Sequence, residues 1–264
     1  ITDSLQFISE KASTYISNWH TRIFRHAPRL FDAGYQRAES HEDIFCEGTP
    51  TYKLLSSGAE RMYQYIRSAG YDNIICTHVF PALALTEMRR QHPCLQLVTS
   101  HISTDYTCAP CTADSALDWY FIPSTSLLGE FEQCGLQPQK LIASGIPVRQ
   151  QFYQRVSQEA GKANAGISPA HQHILMMCGS MGCGPMEEII SYLCPYLTTE
   201  QELSVVCGTN DDLRKKLQKR TEKYSQVHVL GSGNNVPQLM QASDLFLTKP
   251  GGLSTSEAMA AELP

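Results

Sequence analysis

From about residue 60 onward, short apolar runs alternate with helix-period segments of ten or more residues, and few folds accommodate that rhythm. Residues 59–69 read as a helix stopped by Gly70, residues 72–77 as a short buried strand and residues 81–91 as the next helix. Strands follow at 95–99, 118–123 and 140–144, with a helix at 125–134. Gly145-Ile146-Pro147-Val148 and a polar stretch, Ser157 to Ala170, interrupt the pattern. It then resumes with strands at 173–177, 203–206, 227–230 and 244–248, and helices at 186–197, 211–223 and 236–242. The expectation is an α/β chain of two doubly wound, Rossmann-like halves, 1–148 and 149–264, with parallel sheets covered on both faces and a cleft between the halves.

Bulk properties narrow the class. The 264 residues are 42% hydrophobic and 18% charged, enough apolar material for packed cores and too little charge for disorder. A net charge of -5 argues against a general nucleic-acid binder. No apolar run reaches the ~18 residues of a membrane span, and no signal peptide is recognisable. The ten cysteines lie mostly in apolar settings such as Asn73-Ile74-Ile75-Cys76, which reads as a reducing cytosol. Cys108-Ala109-Pro110-Cys111 is the one C-x-x-C; without a second pair at ligand spacing it reads as structural more readily than as redox-active or zinc-binding.

In the second half, four strand ends carry Gly, Asn or hydroxyl-bearing turns: 178–184, 207–210, 231–237 and 249–257. Ligands bind outside the carboxyl ends of strands in open α/β sheets. Cys178-Gly179-Ser180-Met181-Gly182-Cys183-Gly184 lacks the G-x-G-x-x-G spacing of a nicotinamide site, but glycines there let a diphosphate lie against backbone N–H groups. The same glycines also suit tight turns that need positive φ. Gly208 and Asn210 end the next strand. Lys249-Pro250-Gly251-Gly252-Leu253-Ser254-Thr255-Ser256-Glu257 runs from a strand through a turn into a helix start, where free N–H groups and the helix dipole favour phosphate. Glu257 is placed to accept hydrogen bonds from a ribose diol. This half should bind a nucleotide-like anion.

In the first half, Ser100-His101-Ile102-Ser103-Thr104-Asp105-Tyr106 places His101 and Asp105 at a strand end, where either can act as a general base or be an ordinary solvated loop residue. His78 is similarly placed after an earlier strand. The segment 19–31 mixes aromatics with arginines. Trp19, Arg22, Phe24, Arg25 and Arg29 suit an anionic membrane surface, or an ordinary amphipathic core helix.

Gly179 to Pro185, V-V-C-G-T-N at 205–210 and K-P-G-G-L-S-T-S-E at 249–257 together resemble family 28 glycosyltransferases. The likeness is to the branch of monogalactosyldiacylglycerol synthases and processive diacylglycerol glucosyltransferases. R-H-A-P-R-L-F at 25–31, T-D-Y at 104–106 and G-I-P-V-R at 145–149 resemble that branch's first-domain and interdomain motifs. The resemblance implies a two-domain GT-B enzyme, peripheral on the inner face of the cell membrane. Such an enzyme moves a hexose from UDP-glucose or UDP-galactose to diacylglycerol with inversion, giving a β-glycoside. It also implies that Gly182 and Gly184 approach the diphosphate, that backbone around Gly231 and Val236 frames the uracil, that Ser254 and Thr255 meet phosphate, and that Glu257 holds the ribose. Asp105 falls on the family's T-D-Y/F aspartate, as base or acceptor-orienting group. Neither a metal nor a cofactor is expected, since helix dipole and backbone donors would stabilise the departing UDP.

The chain departs from the family's pattern in three places. The family's opening Gly-rich loop lies upstream of Ile1, and its final strands and helices lie beyond Pro264. Both ends read as cut, the second directly after an unfinished helix, so the chain as it stands is expected to be inactive. Thr107-Cys108-Ala109-Pro110-Cys111 replaces the His and aromatic that usually follow T-D-Y. Two further readings stay open: the same fold acting on another lipid, such as a peptidoglycan precursor, and a non-catalytic nucleotide-sugar binder.

Overall fold

In the computed structural model, the four apolar runs of the first half form one parallel sheet: β1 (Asn73–Cys76), β2 (Val98–Ile102), β3 (Trp119–Ile122) and β4 (Leu141–Ala143), in the order β1-β2-β3-β4. The structure describes residues 1–9, 11, 13–14, 47–154, 156–233 and 235–264. The chain divides into two compact units, Ile1–Ile146 and Pro147–Pro264.

Local chemistry sets the helix ends of the first unit. Helix α1 (Pro50–Ser56) starts on a proline and is capped by Thr49 Oγ1, which accepts from Tyr52 N. Helix α2 (Ala59–Ala69) stops where Gly70 turns left-handed at φ 69°. Helix α3 (Val79–Gln91) begins two residues before the expected 81, because Pro81 is tolerated in a first turn that His78 caps by accepting from Phe80 N. Helix α4 (Leu128–Gln133) completes the unit. Leu85, Met88, Tyr120, Ile122 and Phe131 form its core.

Two expectations change here. β2 is not 95–99 but Val98–Ile102, since parallel pairing sets Asn73 against Val98 and Cys76 against His101. The Asp118 carboxylate, just before β3, ties β2 to that strand by accepting from Thr99 N at 2.8 Å and Thr99 Oγ1 at 2.7 Å. β1 is not a buried strand either. It lies at the sheet edge, with only Cys76 buried and Ile75 62% exposed.

The second unit carries β5 (Gln172–Met177), β6 (Gln201–Val206), β7 (Val227–Leu230) and β8 (Leu245–Thr248), all parallel, in the order β7-β6-β5-β8. The polar stretch that interrupts the alternation contains helix α5 (Gln158–Ala165). Ser157 caps its start and Gly166, at φ 73°, its end. Lys162 on α5 is 6% exposed and pairs with Asp244 at 2.9 Å, which ties the helix to the foot of β8. Helices α6 (Met186–Leu193) and α7 (Asp211–Thr221) pack on one face of the sheet. Helix α8 (Val236–Gln241) and helix α9 (Gly252–Ala260) pack on the other. The last helix is finished, contrary to expectation. The Ala261 N–H bonds back to Glu257 O, Leu263 is buried, and Phe246 N donates to Pro264 O.

Candidate functional site

β5 pairs with β6 on one side and β8 on the other, so the strand order reverses at β5. A reversal of this kind leaves a crevice beyond the carboxyl ends of the two strands flanking it. Here those ends are Met177 and Thr248, set opposite each other in the register, with Thr248 Oγ1 donating to Met177 O at 2.8 Å. β5 leads into the Gly179–Gly184 turn on one side of the crevice, and β8 into Lys249–Gly252 on the other.

The glycines are not equivalent. Gly179, Gly182, Gly184 and Gly208 all have positive φ, between 55° and 116°. A Cβ on Gly182 would lie 2.0 Å from Cys207 O, and one on Gly208 would lie 2.0 Å from Ser180 O. These two interlock the turns after β5 and β6. Thr209 N donates to Ser180 O at 2.9 Å, and Asn210 Nδ2 to Gly182 O at 2.9 Å, while Asn210 Oδ1 accepts from Leu213 N and caps α7. Gly182, Gly208 and Asn210 are thus spent on one another. Gly179 has open space where a side chain would be, and Ser180 and Gly184 are exposed.

Opposite, Gly251 precedes α9 in extended conformation with no side-chain cap, and Thr255 N is the first to bond back, to Gly251 O. The N–H groups of Gly252, Leu253 and Ser254 therefore stand ahead of the helical ladder. Ser254 and Thr255 are half-buried, Lys249 and Pro250 exposed, and Ser256 Oγ donates back to Gly252 O. Glu257 sits half-buried one turn in. Burial raises its pKa, and the Arg149 guanidinium partly offsets this. Arg149 itself stacks 5.1 Å from the Phe152 ring. Sequence reasoning missed Arg149 as a charge acting on Glu257, although Arg149 closes the G-I-P-V-R motif. Gly231 comes after β7 against the Arg214 side chain, and Val236 opens α8 in the apolar cluster around Leu239.

In the first unit the structure separates two residues that the sequence places together. His101 is the last but one residue of β2, 3% exposed, with Nδ1 unpartnered among the described residues. Burial, then the neighbouring His78, lower its pKa to about 4, so it remains a neutral, enclosed imidazole at physiological pH. Asp105 lies in an exposed bend three residues beyond β2. That bend is anchored where Thr107 Oγ1 and Cys108 N both donate to Glu130 Oε1 on α4, at 2.5 and 2.7 Å. Trp19, Arg22, Phe24, Arg25 and Arg29 lie outside the described residues. Among the described residues, no helix is long and apolar enough to cross a membrane.

Two parallel Rossmann-like sheets in one chain define the GT-B fold, and comparison with solved structures agrees. Anabaena HepE in complex with UDP and glucose superposes with a TM-score of 0.54 at 15% identity, over 84% of this chain and 64% of that one. WaaG, a glycosyltransferase involved in lipopolysaccharide biosynthesis, gives 0.51 at 14% identity, over 83% and 65%. Residues 1–148 match the family described as monogalactosyldiacylglycerol (MGDG) synthase, and the chain belongs to that family. It is 27% identical over 210 residues to the processive diacylglycerol beta-glucosyltransferase of Bacillus licheniformis, covering 78% of this chain and 53% of the relative. With the enzyme of that name from Staphylococcus carnosus it shares 24% identity over 250 residues, 95% of this chain and 60% of the relative. The chain thus spans a little over half the length of these relatives.

Proposed function

We propose that the protein containing this chain is an inverting glycosyltransferase that moves a hexose from UDP-glucose or UDP-galactose to diacylglycerol, making a β-glycosyl diacylglycerol. The observation carrying the donor half is the crevice at the β5/β8 reversal, with an open glycine turn facing an uncapped helix start. The diphosphate would lie between Gly179, Ser180 and Gly184 on one side and the N–H groups of Gly252 to Ser254 on the other. Gly182, Gly208 and Asn210 would hold the turn in shape beneath it. Lys249, Pro250 and Gly251 would form the approach to the helix, and Thr255 would border the phosphate. Glu257 would accept from the ribose hydroxyls, and backbone at Gly231 and Val236 would border the uracil. The donor chemistry needs neither metal nor cofactor in this reading, because backbone N–H groups and the α9 dipole would stabilise the departing UDP.

Family membership and the names of the relatives support diacylglycerol as acceptor. Asp105, exposed beyond β2, is the proposed base or acceptor-orienting group. His101, enclosed in the strand, is left out of that role. The aromatic and arginine residues at 19–31 would hold the protein on an anionic membrane face.

The test is UDP release by a protein extended at both ends to the relatives' length. Each UDP-sugar is supplied in turn, with and without diacylglycerol vesicles. Release that depends on the lipid is the expected result and names the donor. Donor binding without lipid-triggered release would overturn the acceptor assignment.

A further inference from the structure

The loop that carries Asp105 continues into Cys108, and the structure re-pairs that cysteine. The spacing pairs Cys108 with Cys111, but the two side chains belong to different apolar clusters. Cys108 packs on the core that includes Tyr120 and Phe131, and Cys111 on the one formed by Tyr52, Leu55 and Leu83. Glu130 brings a different partner to Cys108. Its carboxylate accepts from Cys108 N at 2.7 Å, while its backbone carbonyl accepts from Cys134 N at 3.0 Å. Cys134 is one helical turn after Glu130 and therefore on the same side of α4. Cys134 is also the side-chain neighbour that, after burial, holds the Cys108 thiol above its usual range. Cys134 is exposed and Cys108 partly buried.

We propose that Cys108 and Cys134 are a reversible dithiol–disulfide couple, exchanging with a low-molecular-weight disulfide of the glutathione class and tying the Asp105 loop to α4 when oxidised. The exposed Cys134 is the point of entry. Its thiolate attacks one sulfur of the external disulfide, forming a mixed disulfide and releasing one thiol. The Cys108 thiol then loses its proton and attacks the Cys134 sulfur, expelling the second thiol. Two protein thiols and one disulfide become one protein disulfide and two thiols, with two electrons passing to the external sulfurs. Burial pushes the Cys108 pKa up to about 12, so the loss of its proton makes this second step the slow one. In a reducing compartment the couple rests as the dithiol, and the loop keeps its hydrogen bonds to Glu130.

The experiment equilibrates the protein with glutathione and glutathione disulfide at varied ratios, traps free thiols by alkylation, and maps the digested peptides by mass spectrometry. A Cys108–Cys134 cross-linked peptide, lighter by two hydrogens than the dithiol pair, should accumulate as the disulfide share rises and vanish on return to glutathione. Cys134→Ser should abolish it and leave Cys108 open to alkylation, whereas Cys111→Ser should leave it intact. Exposed Cys94 should take up glutathione without forming a link. A Cys108–Cys111 link, or Cys134 found only as its glutathione adduct at every ratio, would overturn the proposal.

Discussion

Substituting Gly208 by alanine separates two reasons for a glycine that are usually merged. Gly166 and Gly208 are both left-handed, at φ 73° and 55°, so a Cβ at either costs about 1–2 kcal/mol from backbone preference alone. At Gly166 nothing lies within 4 Å of the added atom, and that is the whole cost. At Gly208 the Cβ would sit 2.0 Å from Ser180 O, a contact with backbone that a rotamer change cannot relieve. Opening it to the 3.0 Å at which real Cβ contacts begin pushes the 207–210 turn away from the 179–182 turn by about an ångström. The bonds from Thr209 N to Ser180 O and from Asn210 Nδ2 to Gly182 O, both 2.9 Å, would then be lost or stretched. At about 0.5–1.5 kcal/mol each, they bring the expected loss for Gly208→Ala to roughly 2–5 kcal/mol. Both tryptophans, Trp19 and Trp119, lie in the first unit, so intrinsic fluorescence would not follow the second. Native-state hydrogen exchange at Leu175 and Val205, buried in β5 and β6, would. Exchange there should be about 5- to 150-fold faster in Gly208→Ala than in Gly166→Ala, the equivalent of the extra ~1–3 kcal/mol. Equal exchange in the two variants would refute the interlock and leave backbone preference as the only role for Gly208.

Three other perturbations have defined outcomes. Glu257→Ala should weaken UDP binding by about 1–3 kcal/mol in calorimetry, the scale of a lost hydrogen bond to a charged group; unchanged affinity would remove Glu257 from the donor site. His101 has a folded pKa near 4 against 6.5 for the free side chain. Its depressed value means the unfolded chain binds the extra proton first. The stability it confers is therefore complete above pH 6.5 and is lost as the pH falls from 6.5 towards 4, by about 3 kcal/mol in all. Urea titrations of His101→Phe across that window should show a shallower acid slope, and an unchanged slope would contradict the burial. Replacing Arg22, Arg25 and Arg29 together should weaken co-sedimentation with anionic vesicles by about 1 kcal/mol per charge. Undiminished sedimentation would mean that the segment is not the membrane contact.

Where a residue acts on its own few neighbours, the sequence is readable, and Gly70 ending α2 or Asn210 opening α7 could be read from type and position. The β5/β8 crevice was legible for a related reason. Apolar runs leading into glycine-rich turns mark strand ends, and parallel alternation puts successive ends on one side of a sheet. Register is another matter. Leu95 and Val98 are both good strand residues, and it takes distant partners, Asn73 opposite Val98 and the Asp118 carboxylate on Thr99, to decide where β2 begins. Helix α5 was missed because its stability comes from Lys162 reaching Asp244 and from Gly161 allowing close approach to Gln241 O, not from an apolar stripe. The cysteines fail in the same way, since C-x-x-C spacing is visible in the chain and the approach of Cys134 is not. The glycines of the 179–184 turn show what separates the two kinds of information. Position and residue type establish that a side chain is unwelcome. Only the partner in space tells whether the room is taken by another turn, as at Gly182, or left open, as at Gly179. The open room at Gly179 therefore favours the proposed phosphate there, with Gly182 bracing the turn, a distinction that motif spacing alone does not contain.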